Sequence, residues 1–178
     1  MRIIGGILKG LRFNPPKNLP ARPTTDLAKE ALFNILQNQI EFDGLKVLDL
    51  FSGAGGISME FASRGAGQVV SVDRSMHCVR YLKDMAARHG LSQVKVYKSD
   101  VFKYLQYETE QSGLVFADPP YDLDRIPDIP KIIFEKKLLL PGGLLIVEHQ
   151  SLQNLSNHPA FTEQRNYGYA AFSFYRQA

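Results

Sequence analysis

The residues with the most specific chemistry in this chain are Asp118-Pro119-Pro120-Tyr121, which close the apolar run Leu114-Val115-Phe116-Ala117. An ionised carboxylate only accepts hydrogen bonds, and the Pro119 carbonyl is a second acceptor, held between two rings. Two acceptors converging on one point suit an exocyclic amino group with its two N–H donors. Tyr121 adds a flat face on which a planar base stacks, a contact worth roughly 1–3 kcal/mol. The plainer reading is an acid–proline turn with an aromatic plugging the end of a strand.

A second group is Asp49-Leu50-Phe51-Ser52-Gly53-Ala54-Gly55-Gly56, with Asp73 twenty residues after Gly53 and Asp100 further on. Glycines let the backbone approach a ligand closely, and a following helix N-terminus supplies donors. Asp73 suits the hydroxyls of a ribose, and Asp100 suits an adenine amino group. Ser52, Gly53 and Gly55 of the loop, with Arg74 and Val101 beside the two acids, complete this candidate set. A dinucleotide and S-adenosylmethionine both fit a glycine loop followed by such an acid. The dinucleotide fingerprint needs Gly or Ala at position 58, where Ser58 stands. Asp49 weighs further against a dinucleotide, because it would repel a pyrophosphate and attract the ammonium of a methionine moiety. Otherwise Asp49 caps a turn and Asp73 is a solvated strand end.

These groups need strands to carry them. Proline cannot continue a central strand, so the run 114–118 ends at Asp118. The chain from residue 45 alternates strands and helices: strands at 46–50, 69–73, 94–97, 114–118 and 144–148, helices at 55–64, 75–89, 101–107 and 129–139. Pro141-Gly142-Gly143 is read as the stop of the last helix, and Tyr167-Gly168 as the turn of a terminal hairpin within 161–175. Alternation of this kind implies a parallel sheet with right-handed crossovers. Ligands of open α/β sheets bind beyond the carboxyl ends of the strands, where all three acids fall. Upstream, Arg2 to Phe13 reads as a small hairpin. Arg22-Pro23-Thr24-Thr25-Asp26 precedes a helix with Ala28, Ala31, Leu32, Ile35 and Leu36 on one face, capped by Thr25 or Asp26. The free N–H groups there suit a carboxylate or phosphate, which makes Thr25 a cofactor candidate.

The 178 residues suffice for one compact domain (26–178) with an N-terminal extension (1–25). The net charge of +3 is unevenly placed. Arg2, Lys9, Arg12, Lys17 and Arg22 face no acid within the extension, so the remainder is slightly acidic. A basic arm points to a polyanion such as RNA. One cysteine, Cys78, excludes an internal disulfide and fits a reducing cytoplasm. No signal peptide is expected, because Gly5-Gly6 interrupts the first apolar residues. No apolar run approaches the ~20 residues that cross a bilayer. The four histidines, at 77, 89, 149 and 158, show no metal-ligand spacing and read as surface or strand-end residues.

The chain resembles the bacterial methyltransferases that modify the exocyclic N2 of a guanine in 16S ribosomal RNA (the RsmD type). The likeness rests on Arg2-Ile3-Ile4-Gly5-Gly6, Arg22-Pro23-Thr24-Thr25-Asp26, Leu32-Phe33-Asn34, the 49–55 loop, Asp118-Pro119-Pro120-Tyr121 and the tail around Tyr167-Gly168. It implies a Rossmann-like class I methyltransferase fold: a seven-stranded, mostly parallel sheet whose last two strands form an antiparallel hairpin, with a small N-terminal β extension. It implies methyl transfer from S-adenosylmethionine without a metal, ribosomal RNA of the small subunit as partner, and a cytoplasmic enzyme, read here as a monomer. Residues 114–122 do not separate guanine N2 from adenine N6. A protein or small-molecule methyltransferase, a non-catalytic RNA-binding assembly factor and a dinucleotide oxidoreductase remain as alternatives. The basic arm, the full motif set and the absence of a hydride-transfer site weigh against them in turn.

Overall fold

The computed structural model describes residues 1–20 and 24–178. Its frame is a seven-stranded sheet in the order β3-β2-β1-β4-β5-β7-β6. The first five strands are β1 (Lys46–Leu50), β2 (Gln68–Asp73), β3 (Val94–Lys98), β4 (Ser112–Ala117) and β5 (Leu139–Gln150). They run parallel to one another. The terminal hairpin, β6 (Phe161–Tyr167) and β7 (Ala170–Arg176), inserts with β7 antiparallel to β5. Alternate side chains leave opposite faces of a strand. Leu114 and Phe116 of β4 therefore join one apolar cluster, while Val115 and Ala117 join the other. Both faces are covered, which is why β1 and β4 read as near-continuous apolar runs.

One face is packed by α1 (Asp26–Leu36), α2 (Gly56–Ser63) and α3 (Met76–Arg88), through Leu32, Phe33, Leu36, Phe61 and Leu82. The other is packed by α4 (Val101–Tyr107) and α5 (Asp128–Glu135), through Val101, Leu105, Ile129 and Ile133. The N-terminal piece pairs with itself through a single antiparallel bridge, Arg2 to Arg12, rather than through full strands. Its Ile3 and Phe13 are buried in the same cluster as α1 and α2.

A buried ionic group fixes that piece. Glu60 of α2 is fully buried, and its two oxygens accept from the backbone N–H groups of Ile4 and Gly5 at 2.9 Å each. Arg64 Nε donates to it at 2.9 Å, and Lys29 of α1 lies 3.3 Å away. Lys29 also donates to the Arg2 carbonyl. Burial pulls the Lys29 pKa below its ordinary value, although Glu60 opposes the shift.

The largest departures from the sequence reading are at α5 and β5. α5 ends at Glu135 rather than 139, and β5 begins at Leu139 rather than 144. Pro141-Gly142-Gly143 is not a helix stop. The register passes from Ser112–Leu139 to Leu114–Leu144, so residues 140–143 bulge out of the ladder, where Pro141 needs no N–H partner. β4 likewise begins at Ser112, with Gly113 at the irregularity. His149 is fully buried at the end of β5, between Ser173 Oγ (2.7 Å) and the Gln150 carbonyl (2.7 Å).

Candidate active site

Strand β1 is flanked by β2 on one side and β4 on the other, so the direction of winding reverses beside it. Such a switch point opens a crevice at the carboxyl edge. The motif after β4 starts beside the end of β1: the Asp118 N–H donates to the carbonyl of Leu50, the last residue before the loop, at 3.2 Å. A cleft of about 1450 Å³ lies over this edge.

The loop after β1 is built on unusual backbone. Phe51 has φ 59°, Gly53 φ 54° and Gly55 φ 90°. A non-glycine residue in that region is uncommon, and such residues concentrate at functional sites. At Gly55 a Cβ would come within 2.3 Å of Leu82 Cδ1, so both its torsion and its packing require glycine. Asp73 holds the loop in place. Its two oxygens accept from Gly53 N and Ser75 N, at 2.9 Å each. Each carboxylate oxygen has a further lone pair, so these bonds leave Asp73 able to accept from a ligand. Asp100 caps α4, accepting from Lys103 N at 3.0 Å.

Asp49 is buried at the floor of the cleft. Ser58 Oγ donates to its carboxylate and lies 2.6 Å from Ser71 Oγ. Burial pushes the Asp49 pKa up to about 7; the Ser58 hydrogen bond opposes this, and the Asp73 charge adds to it. Ser58 thus does something no glycine or alanine there would do: it orients the acid. Among the described residues, Ser52 Oγ is buried without a hydrogen-bond partner.

The cleft brings together Asp49, Ser52, Gly53, Gly55, Asp73, Arg74, Asp100 and Val101 with Asp118, Pro119 and Tyr121. Thr25 lies outside it. Its hydroxyl accepts from Ala28 N at 3.2 Å as the cap of α1, and the preceding Thr24 lines the cleft instead. Lys9, Arg12 and Lys17 are exposed, whereas Arg2 is partly covered and lies 3.9 Å from Glu30. Arg22 falls outside the described residues. Among the lining residues that the sequence did not single out are Phe102, Arg125 and Lys29, and Phe51 entered only as part of the glycine loop. Phe51 meets Phe102 edge-on at 6.3 Å, and the Arg125 guanidinium stands 3.9 Å from the centre of the Phe102 ring. No spacing rule links residues 51, 102 and 125, which meet only once the sheet is wound. Among the described residues, no cluster of His, Cys, Asp and Glu could hold a metal ion, and no helix is long and apolar enough to cross a membrane.

A mostly parallel seven-stranded sheet with its last strands antiparallel, and a cleft at the switch point, defines the Rossmann-like fold of the class I methyltransferases. The model of the family described as conserved hypothetical protein 95 matches residues 1–176, and the chain belongs to that family. The Bacillus subtilis relative YlbH is 31% identical over 185 residues, covering 99% of each chain. An Escherichia coli K12 relative, named ribosomal RNA small subunit methyltransferase D, is 28% identical over 162 residues, covering 90% of this chain and 80% of its own. The solved structure of a hypothetical protein from Thermus thermophilus superposes with a TM-score of 0.85 at 29% identity, over 98% of each chain.

Proposed function

We propose that the protein transfers a methyl group from S-adenosylmethionine to the exocyclic N2 amino group of a guanine in 16S ribosomal RNA. The observation that carries this reading is that the acceptor motif and the glycine loop, at the ends of the adjacent strands β4 and β1, open into one cleft. The cleft exceeds the ~300–1,000 Å³ of a pocket for one drug-sized ligand, which leaves room for a base beside a cofactor. The naming of the Escherichia coli relative supports ribosomal RNA as the substrate.

The residues present fit the cofactor. The buried, unpartnered Ser52 hydroxyl, the left-handed turn at Gly53 and Gly55 that brings the loop over the cleft, and the spare lone pairs of Asp73 are what a nucleoside with an amino-acid tail would use. Asp49 meets the ammonium, Asp73 the ribose, and Asp100 the base, with Arg74 and Val101 beside them. When bound, S-adenosylmethionine supplies an activated methyl group on a sulfonium.

Asp118 and the Pro119 carbonyl accept the two N–H bonds of the target amino group. Its lone pair, otherwise delocalised into the ring, is thereby turned toward the methyl. Tyr121 stacks on the base, which must be unpaired or flipped out to reach the cleft. Positioning supplies most of the acceleration, because the nitrogen becomes acidic only after it is methylated. Asp118 or water then takes the proton. Lys9, Arg12 and Lys17, with Arg2 and Arg22, hold flanking phosphates. The enzyme acts in the cytoplasm as a monomer, with residues 1–25 as its RNA-holding extension.

Incubation with labelled cofactor and undermodified small-subunit RNA, naked or assembled, followed by nucleoside mass spectrometry, tests the reading. It predicts N2-methylguanosine. N6-methyladenosine, or no methylated nucleoside from either substrate, contradicts it.

A further inference from the structure

Thr24 is a residue of the segment before α1 whose side chain turns into the cleft rather than capping the helix. Its hydroxyl donates to Glu148 Oε2 at 2.7 Å and lies 3.4 Å from Asp118 Oδ2. Glu148 sits on β5, adjacent to β4, and is 4% exposed. One hydroxyl therefore stands between a buried carboxylate and the proposed acceptor carboxylate. It comes from a segment 94 residues away from Asp118.

A threonine hydroxyl has one proton and two lone pairs. Its proton goes chiefly to Glu148 Oε2 and, across 3.4 Å, makes only a weak hydrogen bond to the ionised Asp118 carboxylate. That contact strengthens when Asp118 carries a proton of its own. This happens after methyl transfer: an N–H bond of the methylated nitrogen breaks, its electron pair returns to nitrogen, and an O–H bond forms on Asp118. That O–H then donates to Thr24 Oγ1, which continues to donate to Glu148. Catalytic hydrogen bonds that are long in the free enzyme commonly tighten in this way.

We propose that Thr24, anchored by Glu148, is a positioning residue for Asp118: it fixes the rotamer of the acceptor carboxylate and receives a hydrogen bond from its protonated form. The inference rests on the role of Asp118 proposed above. It adds a residue that acts through Asp118, and it gives a reason for Thr24 to be held between the ends of β4 and β5.

The test compares Thr24→Val, Thr24→Ala and Thr24→Ser in the full chain, with undermodified small-subunit RNA as substrate. Thermal melting confirms folding, and calorimetry gives the cofactor affinity. Loss of a weak, shared hydrogen bond predicts that kcat falls about 3- to 10-fold in the Val and Ala variants, with KM for RNA and cofactor affinity changed less than about 2-fold and the Ser variant restored to near wild type. The Ala variant only removes atoms, so it carries the result if the Val variant does not fold. Wild-type turnover in the Ala variant, a Ser variant as slow as the Ala variant, or a loss confined to KM overturns the inference and leaves the proposed function standing. No methyl transfer by the wild-type protein overturns both.

Discussion

Asp49 shows how one buried side chain ties stability to ligand chemistry. Its pKa of about 7 means that the folded protein holds a proton there that the unfolded chain has released. An ordinary aspartate titrates near ~3.9, so stability falls as pH rises from about 4 to about 7 and is flat with respect to this group above that. Asp49→Asn removes that fall, which urea titrations of the ligand-free protein at pH 5 and pH 8 will register. The proposed contact with an ammonium adds an opposite dependence for binding. Only ionised Asp49 attracts the cation, so S-adenosylmethionine affinity rises as pH increases toward about 7, and the Asn variant loses that rise. Equal slopes in wild type and variant would exclude Asp49 from the cofactor contact. The acid itself was legible in the sequence, from its place before a glycine loop. Its partner Ser58 was not: a serine nine residues on becomes an orienting donor only when α2 folds back over β1.

At the level of elements, the alternation of apolar runs with helical spacing specified β1 to β4 and α2 to α4 to within a residue or two, and the apolar face and cap of α1. The failure at α5 and β5 has a specific cause. Pro141-Gly142-Gly143 carries the usual signature of a helix stop, yet it occupies a bulge that only pairing with β4 creates. Thr25 and Asp26 are the same kind of ambiguity. Either side chain could cap α1; Thr25 takes the cap, while Asp26 Oδ1 accepts from the Arg2 N–H of the N-terminal piece. Glu60 likewise reads as an ordinary helical acid until α1 places Lys29 beside it. The loop between β1 and α2 yields a prediction at this scale. Gly55→Ala must hold a left-handed backbone and displace Leu82, so it destabilises the fold by about 1–3 kcal/mol, measured by chemical denaturation, and weakens cofactor binding as the loop shifts. An unchanged denaturation midpoint would show that the loop tolerates another conformation.

For the whole molecule, charge distribution and the position of the cleft should act together. The basic residues of the first 25 positions offset a body that is otherwise slightly acidic, and Lys9, Arg12 and Lys17 are exposed. Reversing these three to Glu should weaken RNA binding and flatten the plot of log K against log salt by about 2–3, one phosphate contact being worth ~0.7–0.9. An unaltered slope would place the RNA elsewhere. Charge asymmetry was legible in the sequence; the burial of Ile3 and Phe13 in the core of the main body was not, because nothing in residues 1–13 announces Glu60 as the group that receives their backbone. In the proposed reaction, acceptors at the end of β4 hold an amino group beside a bound methyl donor. The decisive variant is Asp118→Ala, with calorimetric cofactor binding and single-turnover methylation of undermodified small-subunit RNA read on the same preparation. Wild-type cofactor affinity is expected, with methyl transfer slowed about 10²- to 10³-fold. Methyl transfer at the wild-type rate, with the cofactor bound as before, would contradict it.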